Sequence, residues 1–327
     1  MSDMYANPEI ETMPREALQA LQLERLQKAV KWAGEKSSFY QDAFAKAGVS
    51  AADIQALSDI RKLPFVTPLD LRSHDVYDRL TLPLSGVLRF SYQEQPAGEF
   101  LQLYTSGDVA HNVEMMLRGL VAAGVNRTSV VGVQGDLSDS RLLDVQYALE
   151  MLGAAVVPLG TDYRRWFRLM DCVSMDAVVS TPQLIMQLVI QLQAVGKDIA
   201  AYPLRMLFSL NDMGLQNLLQ RHVVQRSHAR VYNFFAPPAL GMAGALFSCP
   251  AQQGQHVQED YWYPEVIAFG TDTPVEDGQM GELVLTSLMA EALPLIRFRT
   301  GQAVSLCSDP CACGRTFVRA MTPLQGI

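Results

Sequence analysis

Apolar positions follow two different rhythms along this chain. Across the first eighty residues they recur at close to helical spacing. Leu18, Leu21, Leu26, Val30 and Ala33 line one face of a stretch that Thr12 is expected to cap, with Pro14 in its first turn, where a missing N–H costs nothing. A second helix is expected over 37–47, ended by Gly48, and a short third over 51–57. Further on, in LPFVTPLDLRS, Thr67 caps another helical turn with Pro68 in its first position.

From about residue 86 the texture changes. TSVVGV (128–133), AAVVPL (154–159), DAVVS (176–180), LRMLFSL (204–210) and ARVYNFF (229–235) are β-branched or aromatic runs. Helical patterns lie at about 107–123, 138–152, 162–172, 182–195 and 213–226. This alternation predicts right-handed crossovers and a mainly parallel sheet covered by helices. After residue 240 the runs shorten and Gly and Pro crowd in, with GELVLTS (281–287), PLIRFRT (294–300) and AVSLC (303–307). The expected organisation is a helical region at 1–80, an α/β core at 81–240 and a β-rich subdomain at 241–327.

Composition narrows the function. With Lys+Arg 26 against Asp+Glu 34, the 327 residues carry a net charge of −8. A nucleic-acid binder relies on a basic surface, so that class is set aside. Hydrophobic residues at 49% and charged residues at 18% are enough to bury a sizeable core. No apolar run approaches the roughly 18–20 residues that span a bilayer, and the opening MSDMYANPEIETMPRE is not a basic-then-apolar leader. A cytoplasmic protein that touches neither membrane nor nucleic acid is the expectation. The five cysteines, an odd number, fit a disulfide framework poorly, and Cys307, Cys311 and Cys313 fall close together.

Several stretches resemble the phenylacetate–coenzyme A ligase family, a branch of the adenylate-forming enzymes. They are NPEIETMPREALQALQLERLQ, SSFYQDAFAKAGVSAADIQALSDIRKLPFVTPLDLR, YTSGDV, LEMLGAAVVPL, the TPQ at 181–183, CPAQQGQHVQEDYWYPEVI, GQMGELVLTSLMAEALPLIRFRTG and PCACGRT. The resemblance runs from about residue 4 to the C-terminus. It implies the fold of the large N-terminal domain of these enzymes, with mostly parallel sheets covered by helices and a β-rich subdomain. It also implies ATP-driven activation of a carboxylic acid, followed by transfer to coenzyme A.

The residues which that chemistry needs depart from the family pattern. The family's phosphate loop, rich in Ser, Thr and Gly and ending in Lys, corresponds here to YQEQPAGEFLQLYT (92–105). This stretch lacks the Lys and places Glu94 and Glu99 where phosphates would lie. The family's aromatic-Gly-x-x-Glu turn falls at Phe235, Ala236, Pro237, Pro238 and Ala239, so the carboxylate that helps hold magnesium is missing. The Asp that bonds the ribose after the RYRTG-like segment is replaced by Gln302, three positions after Arg299. The family's Gly-Ala-Glu stretch would lie near Ser209–Met213, which reads SLNDM, and its acyl-pocket segment is replaced by VQGDLSDSRLL. The family's hinge to a mobile C-terminal domain would begin at Pro323–Ile327, so no such domain is expected. Phe235, Ala239, Arg299 and Gln302 are therefore expected to form a vestigial nucleotide region that binds neither ATP nor magnesium productively.

Cys249-x6-His256, joined to Cys311-x-Cys313 in text the family shares, makes three thiolates and one imidazole, a tetrahedral zinc set. A tight turn at Pro310–Gly314 would turn both thiols to one side. With four protein ligands and no open position, such a zinc would be structural. The competing reading makes Cys249 a small buried hydrophobe and His256 a core or surface histidine. Cys307 is near enough to replace a ligand, and Cys172 is expected in the core.

Other residues carry milder expectations. Asp136, Asp139, Arg141 and Asp144 either line a crevice at a strand end or cap a helix through Ser138 or Asp139, and capping is favoured there. Asn211 and Asp212 face the same choice. Arg297 and Arg299 are expected as surface ion-pair partners, and Tyr104–Thr105 as a strand end and helix cap. His111, His222 and His228 have no matching nucleophile, and Met115, Met116, Met170, Met175 and Met186 fill core. The first long helix offers a homodimer surface or packs on its own body. Three functions stay open: a non-catalytic scaffold for a small acid-like ligand or protein partner; an acyl- or aryl-CoA ligase with an altered ATP site or a C-terminal domain supplied by a partner; and an enzyme of another class reusing the crevice around Asp136, Asp139 and Arg141.

Overall fold

A computed structural model describes residues 4–95, 98–211, 213 and 229–323. The chain opens with a short helix α1 (Pro8–Glu11), which Thr12 closes, its N–H bonding back to Ile10 and Pro8. Thr12 is therefore not the cap of the long helix. That place is taken by Pro14, whose extended backbone (φ −54°, ψ 142°) leads into α2 (Arg15–Lys36). Leu18, Leu26, Val30 and Ala33 are fully buried and Leu21 is half-buried, so α2 lays its apolar face on the body of its own chain. Helix α3 (Ser38–Ala47) starts on Ser37, which accepts the Tyr40 N–H, and ends at Gly48 in the left-handed region, φ 63°. The helix expected over 51–57 is instead two 3-10 turns, Ala51–Asp53 and Leu57–Lys62, each held by an aspartate bonding back to backbone N–H groups. Thr67 and Asp70 cap α4 (Pro68–Ser73) reciprocally, and α5 (Val76–Arg79) follows.

Strands β1 (Arg89–Gln95) and β2 (Gly98–Tyr104) form an antiparallel hairpin. Tyr104 ends β2, and Thr105 caps α6 (Ser106–Ala123) together with Asp108. The α/β alternation follows: β3 (Val130–Gln134), α7 (Ser140–Leu152), β4 (Ala155–Gly160), α8 (Tyr163–Cys172), β5 (Ala177–Ser180), α9 (Pro182–Ala194), β6 (Met206–Leu210) and β7 (Arg230–Phe235). These five strands are parallel, in the order β4-β3-β5-β6-β7. Residues 214–226 of the helix expected over 213–226 lie outside the described residues, as do Asp212, His222, His228 and residues 324–327. The antiparallel strands β8 (Leu246–Ser248), β9 (Gln255–Val257), β10 (Trp262–Ile267), β11 (Gly281–Ser287), β12 (Phe298–Cys307) and β13 (Arg319–Met321) extend the same sheet, in the order β7-β8-β9-β13-β12-β11-β10.

The strand expected over 294–300 begins only at Phe298 and runs on through 303–307 as β12. The reason is local: Leu295 N–H bonds Ser287 Oγ, Ile296 N–H bonds Tyr40 Oη, and Arg297 has φ 49°, so this segment is pinned by side chains.

Side-chain alternation divides the parallel strands between two cores. Val131, Val179, Phe208 and Phe234 face α6 and α7, whereas Val178, Leu207 and Val231 face Trp166 and α9. Met115, Met116, Met170 and Met175 are buried and Met186 is half-buried. Cys172 is exposed, contrary to expectation. It is the last residue of α8, two positions past buried Met170 and so on the opposite side of the helix. Among the described residues no helix is long and apolar enough to cross a membrane.

Helix α6 comes so close to the sheet that a methyl group on Gly119 would overlap the Phe234 ring. Alanine would improve helix propensity by about 1 kcal/mol, but forcing a side chain into a packed core costs about 1–3 kcal/mol. Gly119→Ala is therefore expected to lose stability in urea titration, by up to roughly 2 kcal/mol net. A more stable variant would mean that the ring yields freely.

Candidate functional site

The four residues Cys249, His256, Cys311 and Cys313 come together. Cys249 directly follows β8, and His256 stands on β9, opposite Phe247. The turn holding Cys311 and Cys313 is closed by a Gly314 N–H bond to the Cys311 carbonyl, 2.9 Å, with Gly314 at φ 81°, a conformation that suits glycine. The four ligand atoms lie within 4.8 Å of one another and all four residues are buried. Cys249 Sγ is 3.6 Å from Cys311 Sγ, and Cys313 Sγ is 3.3 Å from His256 Nε2. Bonds of about 2.3 Å to sulfur and 2.0 Å to nitrogen, arranged tetrahedrally, need edges of about 3.5–3.8 Å, so the donor set fits.

Its tautomer fits as well. His256 Nδ1 lies 3.0 Å from the Phe317 carbonyl, which only accepts, so Nδ1 carries the hydrogen and the Nε2 lone pair faces the sulfurs. A hydrogen bond from Cys249 holds the Cys313 thiol far below its usual range, while the Cys249 thiol is pushed up. Cys307 stands apart from this group: it takes an N–H from Arg319 at 3.2 Å and lies 3.9 Å from Asp309.

The turn is also a socket for the N-terminus. Tyr5 Oη donates to the Cys313 carbonyl at 2.7 Å, Arg315 Nε donates to Glu11 at 2.7 Å, and Thr316 Oγ1 donates to the Met13 carbonyl at 2.7 Å. Glu11 and Arg315 are both fully buried. Sequence reasoning missed these partners because a buried pair 304 positions apart leaves no periodic mark; the Arg-Thr after the last cysteine was the one available clue.

In the region expected to be a vestigial nucleotide site, three backbone carbonyls of the 239–241 turn are bonded by side chains of the β1–β2 hairpin. Phe235 and Ala239 are buried, and Pro238–Leu240 forms a 3-10 turn. Gln102 donates to the Ala239 carbonyl, Tyr104 Oη to that of Leu240 and Ser91 Oγ to that of Gly241, the last at 3.4 Å. Ser140 Oγ bonds Ser91 Oγ at 2.6 Å. Glu94 and Glu99 stand directly opposite each other on the exposed hairpin. Arg299 pairs with Glu282 at 2.5 Å, and the Gln302 N–H bonds Thr300. Arg297 is not the surface partner expected. It is buried before the strand begins, paired with Glu265 at 3.0 Å and stacked 3.8 Å above the Phe65 ring.

The acidic run at 136–144 divides. Asp136 accepts the Ser138 N–H, and Asp139 caps α7 and binds Arg141 Nε at 2.7 Å. Asp144 is buried and paired with Arg89, a partner that sequence reasoning did not find. Ser209 lies within buried β6, opposite Asn233 of β7. Asn211 has φ 58° just beyond it. His111 packs its ring 5.2 Å from Tyr261.

Comparisons place the chain among known proteins. It is 30% identical to the phenylacetate–coenzyme A ligase of Thermus thermophilus over 330 residues, covering 99% of this chain and 73% of that protein. To the phenylacetate–coenzyme A ligase of Escherichia coli it is 30% identical over 297 residues, covering 89% of this chain and 68% of that one. A solved structure of 2-hydroxyisobutyryl-CoA ligase, in complex with 2-HIB-AMP and CoA in an open conformation, superposes with TM-score 0.87 at 21% identity over 96% of this chain and 70% of that one. That agreement makes the fold the one found in adenylate-forming CoA ligases. No family model matches.

Burial pushes the Asp144 carboxyl up to about 6, outweighing the pull of Arg89. Unfolded, the same group ionises near pH 4. Between those values the folded state holds more protons, so the contribution of Asp144 to stability falls as pH rises. The stability difference between wild type and Asp144→Asn is expected to decline by up to roughly 1.4 kcal/mol per unit from about pH 4 to about pH 6, then level off. Urea titrations across this range test it, and a flat difference would show that Asp144 ionises normally.

Proposed function

The chain belongs to the phenylacetate–coenzyme A ligase family, and on that footing we propose that it is a degenerate member that no longer adenylates and keeps the scaffold to bind a small acid-like ligand. The observation that carries this reading is the turn at 236–241. Where the family pattern asks for a magnesium-binding carboxylate, Ala239 offers only a methyl group, and the carbonyls of Ala239, Leu240 and Gly241 are occupied by Gln102, Tyr104 and Ser91. Glu94 and Glu99 would oppose a triphosphate, and Gln302 cannot supply the paired acceptors of an aspartate to both ribose hydroxyls. Three separate parts of one mechanism are thus changed together, while the core strands keep their pattern.

The same reading assigns a structural zinc to Cys249, His256, Cys311 and Cys313. Bound there, the metal would supply a closed crosslink between the β8–β9 hairpin and the segment that seats the N-terminus, with no position open for substrate. His256 would present Nε2 because Phe317 occupies Nδ1.

Two measurements test these assignments. Calorimetric titration of the zinc-replete protein with Mg-ATP, and then AMP, is expected to give no heat, and millimolar nucleotide no thermal stabilisation. A ligand at a hundred times its Kd would add about 2.7 kcal/mol of stability, so binding would be seen. Clear saturation would return the protein to acyl-CoA ligase chemistry with an altered ATP site. Elemental analysis is expected to find about one zinc per chain, and Cys313→Ser to lose it together with roughly 4 °C of melting temperature, on the order of 3 kcal/mol. Metal-free wild type of unchanged stability would overturn the zinc assignment.

A further inference from the structure

The turn that carries Cys311 and Cys313 has two faces. Its sulfurs approach Cys249 and His256, while its backbone and the two residues after Gly314 seat the start of the chain. Tyr5 Oη donates to the Cys313 carbonyl at 2.7 Å. Arg315 donates through Nε to Glu11 at 2.7 Å and through Nη2 to the Met4 carbonyl at 2.6 Å. Thr316 donates through its N–H to the Glu11 carbonyl at 3.2 Å and through Oγ1 to the Met13 carbonyl at 2.7 Å. A side chain at Gly314 would run into Tyr5 Oη, so the turn is bare where the tyrosine reaches in. The Arg315 guanidinium lies 4.8 Å over the Tyr5 ring and 5.4 Å over the Phe247 ring, and Phe247 stands opposite His256 on the neighbouring strand.

Little else holds this segment. Glu11 alone among residues 4–13 is buried, so apolar packing contributes little. Among the described residues, the one hydrogen bond that ties 4–13 to the fold elsewhere runs from Asn7 Nδ2 to Glu114, at 3.2 Å. Helix α2, by contrast, buries Leu18, Leu26, Val30 and Ala33, and its Arg15 and Gln22 are bonded to Glu259.

From this we infer that the N-terminal segment is part of the metal centre. Tyr5 and Glu11 are positioning residues that set the 311–316 turn for zinc, and zinc in turn holds the segment against the body. The two events share one piece of backbone. The Cys313 carbonyl that takes the Tyr5 hydrogen belongs to the residue whose sulfur faces His256. A turn that swings away to release the ion therefore also moves the acceptor of the tyrosine. Such coupling is reciprocal: the factor by which a docked segment tightens metal binding is the factor by which bound metal favours docking. The coupling rests on the zinc assigned to the cluster and goes beyond it, because a structural crosslink need not reach a side chain 308 positions away.

Hydrogen exchange of the full wild-type chain, read by mass spectrometry with zinc bound and after its removal by a chelator, tests one direction. The amides of Glu11, Thr12 and Met13 bond to the carbonyls of Asn7, Pro8 and Ile10. They are expected to exchange at least about tenfold faster without metal, while the amides of 22–32 in α2 keep their rate. Competition for zinc with a chromogenic chelator tests the other direction. Glu11→Lys, which sets a like charge on Arg315 and expels the segment, is expected to bind zinc about tenfold more weakly. Tyr5→Phe, which loses only the bond to Cys313, is expected to bind it about threefold more weakly. Glu24→Lys, at an exposed position of α2, is the charge control and keeps the wild-type affinity. Equal exchange at 11–13 with and without bound zinc would overturn the coupling and leave the zinc assignment in place. So would exchange that quickens alike along the whole chain, or wild-type affinity in the folded variants. A chain that takes up no zinc would overturn the assignment and the coupling together.

Discussion

The fold hangs on two adjacent carboxylates buried where its layers meet. Glu259 and Asp260 are almost wholly shielded from water, in the turn between β9 and β10. Glu259 takes Arg15 at 2.6 Å from helix α2 and the Val318 N–H at 2.6 Å from the segment leading into β13. Asp260 takes Arg118 at 2.8 Å from helix α6, while Arg25 bonds its carbonyl. Gln258 beside them ties the Met115 and Gly244 carbonyls at 2.8 and 2.7 Å. Such a knot is not a large net source of stability, because taking the charges out of water offsets much of their attraction. Its force is conditional: withdraw one partner and an unpaired charge is left buried, at a cost of about 3–5 kcal/mol. Helices α2 and α6 and the antiparallel strands are thereby held in one arrangement.

The Cys/His cluster stands next to this knot and shares its logic. Val318, which bonds Glu259, follows Phe317, whose carbonyl orients His256. Arg315, two residues earlier, reaches Glu11 of the N-terminal helix. The segment 311–318 is thus bonded on one side by the four-ligand group and on the other by the N-terminal region. A crosslink at the cluster would act at a distance on α1 and α2 because the chain between them has few independent degrees of freedom left.

The crevice follows a different rule. Loops at strand ends are free to change so long as their backbone groups find partners. Here the partners come from inside: Gln102, Tyr104 and Ser91 point from the hairpin to the carbonyls of the 239–241 turn. The hairpin's alternation, which buries Ser91 and Gln93 and exposes Tyr92 and Glu94, turns polar groups inward toward that turn and toward Asp139.

Much was legible in the residues alone. Helical spacing marked α2 and α6 to α9, β-branched and aromatic runs marked β3 to β7, and Thr67, Thr105 and Gly48 marked helix ends, because these depend on neighbours within a few positions. Shared motifs and ligand chemistry likewise picked out Cys249, His256, Cys311 and Cys313 before any coordinates. Tertiary structure alone decided what depends on contacts far apart in the chain. It turned Arg297 inward against Phe65 and Glu265, set Cys172 on the outer side of its helix, and joined Arg89 to Asp144. Local sequence encodes local backbone preference, whereas burial and pairing of a charge are set by which distant surfaces the fold brings together.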